Sequence, residues 1–259
     1  MSNSPVDGGD IRRRRQRMSG EEYRDLLLAE GQKILIDEGL SLGADRVTFK
    51  RVFDRIKTRG LTITNASIIG RVWENQDAYQ RELILEVARH DFMGEFPVTL
   101  AALADAMSTR DTSSESSRWA TFENVLRAIA TGAMTDVMAS KLWPIWVGAW
   151  TRWHNNGEVW DAEMRLALSE GEGAQHARTV ELYTYIFSEL GVRPRAPHDI
   201  DEWAVAVLSL LSGFAIRSAA DERASRTVIT SDSGEWNLLG LAIRALAHDL
   251  LEVDPTASF

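Results

Sequence analysis

Cysteine is missing from the 259 residues. Its absence excludes a disulfide framework, a thiolate zinc site, an iron–sulfur cluster and a cysteine nucleophile. Proline is scarce: six positions, none between Pro5 and Pro97. Helices in that interval escape the lost donor and the clash that proline brings. Long apolar runs are missing too. The longest stretch without Asp, Glu, Lys or Arg is Trp203 to Ile216, 14 residues, too short to span a bilayer. The opening MSNSPVDGGD is polar and has no export-signal core, so we expect an intracellular protein with no membrane partner. No repeat of roughly 20–50 residues is visible, which rules out a solenoid. Nor does any alternating apolar–polar run lie between hairpin turns.

Catalytic signatures are equally thin. The histidines, His90, His154, His176, His198 and His248, are scattered and none forms a metal spacing. There is no GxSxG, no phosphate-binding loop and no dinucleotide fingerprint. Glu158, Asp161 and Glu163 read as a solvated turn and helix start. We therefore expect no enzyme, no catalytic residue, no metal and no cofactor.

What is present is an ordinary globular composition, 44% apolar and 26% charged, enough to bury a core without staples. The charge is unevenly spread. The net value is −9, yet residues 1–90 carry 16 basic and 14 acidic groups against 13 and 24 in residues 91–259. Arg46, Lys50, Arg51, Arg55, Lys57, Arg59 and Arg71 face only Asp54 within residues 46–71, and Arg12, Arg13, Arg14, Arg15 and Arg17 lie upstream. Local field rather than net charge steers phosphate, so such a segment suits nucleic acid. Solvated helix faces would give the same pattern.

Helical periodicity dominates. Tyr23, Leu27, Ile34 and Leu35 share one side of residues 21–37. Phe49, Val52, Phe53 and Ile56 follow the i, i+3, i+4, i+7 template, with Thr48 or Asp45 as cap. Further helices are predicted over 64–73, from about 77 to 90, and at about 97–110, 117–138, 140–153, 174–190, 201–220 and 236–252. The segments TRDTSSESS, HNNGEV, SEGEGAQ, GVRPRAPHD and TVITSDSGE read as loops. The expected fold is all-α: a disordered basic arm over 1–19, a three-helix helix-turn-helix unit over 20–76, and a larger helical unit over 77–259.

The segment TNASIIGRVWENQDAYQREL carries the most information. Thr64 opens a short helix whose first turn exposes Asn65, Ala66 and Ser67. Asparagine pairs with adenine in the major groove, and small neighbours permit close approach. Ile68 and Val72 would face the core, and Arg71 could reach phosphate or guanine. With Asp37-Glu38-Gly39 closing the first helix, Thr48 opening the second, Trp73 after the third and Asn75-Gln76-Asp77-Ala78-Tyr79 starting a long fourth, residues 21–90 resemble the TetR family of bacterial transcriptional regulators. Three departures stand out. The turn around Thr58–Thr62 is about five residues longer than usual, Ile69 and Gly70 stand near the usual aromatic residue, and Gln76 stands where a lysine usually begins the fourth helix.

The resemblance implies a cytoplasmic homodimer on roughly palindromic double-stranded DNA, more often a repressor, released by a small apolar or aromatic effector. The implied DNA-binding residues are Thr48, Thr62, Thr64, Asn65, Ala66, Ser67 and Arg71, with Arg12, Arg13, Arg14 and Arg15 as an arm. An apolar pocket would draw on Trp119, Phe122, Met138, Trp146, Trp150, Tyr183 and Phe187, although ordinary core packing produces the same aromatic spacing. A four-helix dimer interface would draw on Leu208, Leu211, Phe214, Leu238, Leu241 and Ala245. The alternative is a helical ligand-binding or protein-interaction module whose helix-turn-helix no longer reads sequence.

Overall fold

The computed structural model describes residues 18–38, 46–58, 60, 71–90, 96–152, 158–232 and 234–257, with the main chain alone at 149–152 and 158–161. Among them the chain forms ten helices and four short strands, so the fold is all-α. The predicted basic arm and most of the predicted recognition helix, residues 61–70, lie outside the described residues.

Helix α1 (Gly20–Glu38) opens on a reciprocal capping pair. The Ser19 hydroxyl accepts from the Glu22 amide at 3.1 Å, and the Glu22 carboxylate accepts from the Ser19 amide at 2.6 Å. Its buried face, Leu27, Leu28, Gly31, Ile34 and Leu35, meets α2 (Phe49–Thr58) and α3 (Gln76–Ala88). Gly31 is needed there because a Cβ would overlap the Tyr79 hydroxyl, which donates to the Leu27 carbonyl at 2.9 Å. Phe49, Trp73 and Tyr79 complete this small core, with Phe49 5.0 Å from Tyr79 and Trp73 edge-on to Tyr79 at 4.9 Å between ring centres. Three short helices bury little area by themselves, and aromatic side chains supply much of it for few residues.

The larger unit begins with an α4–α5 hairpin (Pro97–Ser108 and Glu115–Ala139). Pro97 sits in the first turn of α4, where a missing amide costs nothing. The cap comes from another helix: the buried Asp136 carboxylate of α5 accepts from the amides of Val98 (3.2 Å) and Thr99 (2.8 Å) and from the Thr99 hydroxyl (2.7 Å). Gly132, one turn earlier on α5, lets the α4 backbone approach, since a Cβ there would lie 2.6 Å from the Thr99 Cα. Helix α6 (Trp143–Arg152) packs on α3. Helix α7 (Glu158–Leu190) runs 33 residues, about 50 Å at 1.5 Å per residue. Its N-terminal half meets α3 and its C-terminal half meets α8 (Ile200–Ala220). The short α9 (Arg223–Arg226) and then α10 (Leu238–Leu250) close the bundle.

Two readings of the sequence need correction. The segment SEGEGAQ is helix interior: the predicted helix at 174–190 starts at Glu158. Its Gly171 is a contact residue, because a Cβ there would lie 2.5 Å from the Ala88 carbonyl oxygen of α3. The segments TVITSDSGE and GVRPRAPHD, read as loops, also contain short strands. Val228–Ser231 (β2) and Gly234–Asn237 (β3) form an antiparallel hairpin that begins within TVITSDSGE and runs on to Asn237, with Gly234 at φ +110°. Val192–Pro194 (β1), within GVRPRAPHD, pairs antiparallel with Leu251–Val253 (β4). Strands of three or four residues show too little alternation to be recognised. They also shorten the predicted 236–252 helix to 238–250.

Candidate nucleic-acid interface and ligand cavity

Thr48 immediately precedes helix α2, and its hydroxyl accepts from the Arg51 amide at 3.4 Å. Gln76 reaches back from the start of α3 and accepts from the Phe49 amide at 3.4 Å, while Gln80 donates to the Val47 carbonyl at 3.2 Å. Gln76 thus fixes the two helix starts against each other.

The basic residues of this region divide into two sets. Arg51 pairs with Glu38, and Arg55 pairs with Asp37 at 2.6 Å and with the buried Glu30 at 3.3 Å. The Asp37 hydrogen bond is the chief reason the Arg55 guanidinium holds its proton above the ordinary arginine range. These two cations brace α2 on α1. Arg46, Lys50, Lys57 and Arg71 are exposed, and among the described residues none is in an ion pair. Four free cations therefore lie around α2 and at the exit from residues 61–70. Thr48 and Arg71 are the two predicted DNA-binding residues that the described structure contains. Thr62, Thr64, Asn65, Ala66, Ser67 and Arg12 to Arg15 lie outside it.

A second brace links α1 to the chain just after residues 61–70. Arg24 donates from Nε to Glu82 at 2.7 Å, and the other Glu82 oxygen accepts from the Trp73 indole. On α3 Arg81 pairs with Glu163 at 2.7 Å, and just past its end Arg89 pairs with Glu170 at 2.8 Å, both partners on α7. Helix α3 is thus bound on one side to the N-terminal helices and on the other to α7.

No protein-family model and no curated protein matches the chain. The site has to be read from its own geometry.

The predicted pocket residues separate into distinct groups. Trp119, Phe122, Phe187 and Tyr183 form one chain of ring contacts with Trp203. Phe122–Phe187 and Phe187–Tyr183 are both 5.8 Å apart, and Tyr183 is edge-on to Trp203 at 5.4 Å. Trp146 stacks on Trp143 at 5.2 Å in α6. Met138 is exposed on α5, and the Trp150 side chain and Trp153 lie outside the described residues.

Among the described residues a cavity lies where α4, α5, α7, α8 and α10 meet, with a volume of about 30 Å³. That holds one or two waters and is far below the roughly 300–1,000 Å³ of a site for a drug-sized molecule. Of the predicted set only Tyr183 lines it. The sequence reading missed Thr99, Ala130, Ala133 and Thr179. Its one available signal was the recurrence of Gln175, Thr179 and Tyr183 every fourth residue on one side of α7.

The predicted interface residues also divide. Leu211 is buried in its own chain and lines the cavity beside the half-buried Leu208. Phe214, Leu238 and Leu241 are half-buried and Ala245 is exposed. The outward positions along the middle of α8 include Val205, Ser209, Gly213 and Ile216. Among the described residues α8 is the one helix with the length and hydropathy of a membrane span, yet Trp203, Ala204, Val207 and Ala215 are core. No group of three or more His, Cys, Asp or Glu is placed to hold a metal among the described residues.

Proposed function

We propose that the chain is a sequence-specific DNA-binding regulator of the TetR kind, non-enzymatic, cytoplasmic and homodimeric, and released from DNA by a small effector. The observation that carries this reading is the division of the basic residues around α2. Arg51 and Arg55 brace the helix, while Arg46, Lys50, Lys57 and Arg71 stay free for phosphate. Thr48 at the α2 start has a hydroxyl proton to offer a phosphate oxygen, and the helix dipole favours an anion there. Residues 64–71 would supply the major-groove contacts.

Support for the dimer comes from α8. Only a third of its apolar window is buried within the chain, and Val205 and Ile216 point outward. Two copies pairing α8 and α10 would cover that face and hold two recognition helices about one DNA turn apart. An effector in the larger unit shifts this arrangement only if it binds one state better than the other.

In vitro selection from random duplex DNA with the full chain, at two salt concentrations, tests the reading. The expected outcome is a roughly palindromic motif whose affinity falls with salt on a log–log slope of about −5 if about six phosphates are neutralised per dimer. Asn65→Ala should relax one base position, at a cost of about 1–3 kcal/mol. Recovery of no motif at low salt would overturn the reading in favour of a helical interaction module.

A further inference from the structure

The β2–β3 hairpin is anchored through one strand and open along the other. Trp236 of β3 is buried, with the Arg127 and Arg244 guanidinium carbons 5.7 and 5.6 Å from its ring centre. Asn237, the last residue of β3, accepts from the Gly240 amide at 2.7 Å and donates to the Ala130 carbonyl at 3.3 Å. Strand β3 thus rests on α5 and α10. Strand β2 pairs with β3 alone, and its Val228, Ile229 and Thr230 are exposed. Main-chain groups alternate sides along a strand, so half of those on β2 point away from β3. Among the described residues Val228, Ile229 and Thr230 make no main-chain hydrogen bond outside the hairpin.

An open edge invites another strand, and proteins normally blunt it with lysine, proline, a bulge or an inward charge. Strand β2 has none of these: Val-Ile-Thr-Ser is uncharged and pairs residue for residue with β3. The charges stand at its two ends, Arg226 before the strand and Asp232 directly after it. Arg226 pairs with Glu222 at 2.8 Å, but both side chains are exposed and such a pair is worth little. Asp232 is in no ion pair among the described residues.

These features select the occupant. A second β2 laid antiparallel, with Ile229 opposite Ile229 on a two-fold axis, sets Val228 opposite Thr230 and Arg226 opposite Asp232, each twice over. A parallel arrangement would set Arg226 beside Arg226 and Asp232 beside Asp232, where like charges repel. Directly paired residues share a face, so one face of the joined sheet would run Trp236, Ile229, Ile229, Trp236. Both copies use the same edge, so the pairing closes at two.

We infer that β2 is a self-docking edge, by which two copies of the chain join through antiparallel β2–β2 pairing centred on Ile229. The contact is distinct from the α8 and α10 surface and does not depend on the DNA-binding reading.

Four residues per strand make a small contact, so cross-linking reads it best, and a chain without cysteine makes the register legible. In the full chain Ile229→Cys brings two thiols together with Cα atoms about 5 Å apart, within disulfide reach. It should form an intermolecular disulfide with diamide as oxidant. Glu235→Cys, exposed on β3 of the same hairpin, would lie at least three strand spacings, about 14 Å, from its counterpart and should stay reduced. Sedimentation velocity reads the end charges. Arg226→Asp and Asp232→Arg should each weaken self-association about tenfold, the worth of two exposed ion pairs. A mixture of the two variants should regain it, because each supplies the charge the other lacks, and misfolded variants could not rescue one another. No disulfide in Ile229→Cys, equal cross-linking at both positions, or a mixture no tighter than its components would overturn the pairing. Selection of duplex DNA is read separately. A DNA motif with a failed cross-link sinks the β2 pairing alone, and a cross-link without a motif sinks the regulator reading alone.

Discussion

The two halves of the molecule hold together by different means. The N-terminal helices are joined by charge around a small aromatic core: Arg24 with Glu82, Arg51 with Glu38, Arg55 with Asp37 and Glu30. The C-terminal helices are joined by carbon, with the Phe122–Phe187–Tyr183–Trp203 rings at their centre and Asp136 as a buried polar cap. A short three-helix unit cannot bury enough area to rely on packing alone, whereas a larger bundle can. The lesson is that volume changes should damage the second half most, and changes to polar partners the first.

The largest expected effect is therefore in the carbon-held half. Phe122 is fully buried, and Phe122→Ala should cost about 3–5 kcal/mol in denaturant unfolding. A loss under about 1 kcal/mol would mean that this core is loosely packed. Next comes the polar exception in that half. Asp136→Ala strips three hydrogen bonds from the start of α4 and should cost about 2–3 kcal/mol.

One substitution made in both halves sharpens the contrast. Tyr79 donates to the Leu27 carbonyl, while Tyr183 has no partner among the described residues. At neutral pH Tyr79→Phe should cost about 1 kcal/mol and Tyr183→Phe close to nothing. Burial raises both phenols, with Glu30 adding to Tyr79. The unfolded chain loses these protons above about pH 10 while the folded chain keeps them, so stability is intact below that pH and falls as pH rises. The slope should be about 1.4 kcal/mol per pH unit for each tyrosine, and either substitution should halve it. Alkaline titrations of the unfolding midpoint measure this, and an unchanged slope would count against the burial argument. The smallest effect belongs to the exposed start of α1, where Ser19→Ala breaks the reciprocal cap and should cost about 0.5–1 kcal/mol by thermal melting.

How far the sequence disclosed these halves follows from where the information lies. Helix α2 was legible because Phe49, Val52 and Ile56 repeat within ten residues, and α8 because Trp203, Val207 and Leu211 do the same. Helix α7 was cut short because its two glycines look like a loop, and the reason for Gly171 sits on α3, more than eighty residues away. The hairpin was too brief to show a period. At the candidate site Tyr183 was recognised as an aromatic residue. Its missing partner was invisible, and so was the Thr99–Asp136 pair, whose members are 37 residues apart. Around α2 the sequence counted the cations correctly, but only the fold separates the bracing arginines from the free ones.

Helix α7 touches both halves without a break, and its contact with α3 at Gly171 makes it a lever on a fulcrum. Tyr183 stands twelve residues to one side and Glu158 thirteen to the other, arms of about 18 and 20 Å. Arms of nearly equal length give no mechanical advantage. A tilt that moves the cavity wall by about 1 Å swings the far end by a similar amount in the opposite sense, and the Arg81–Glu163 pair lies on that far arm.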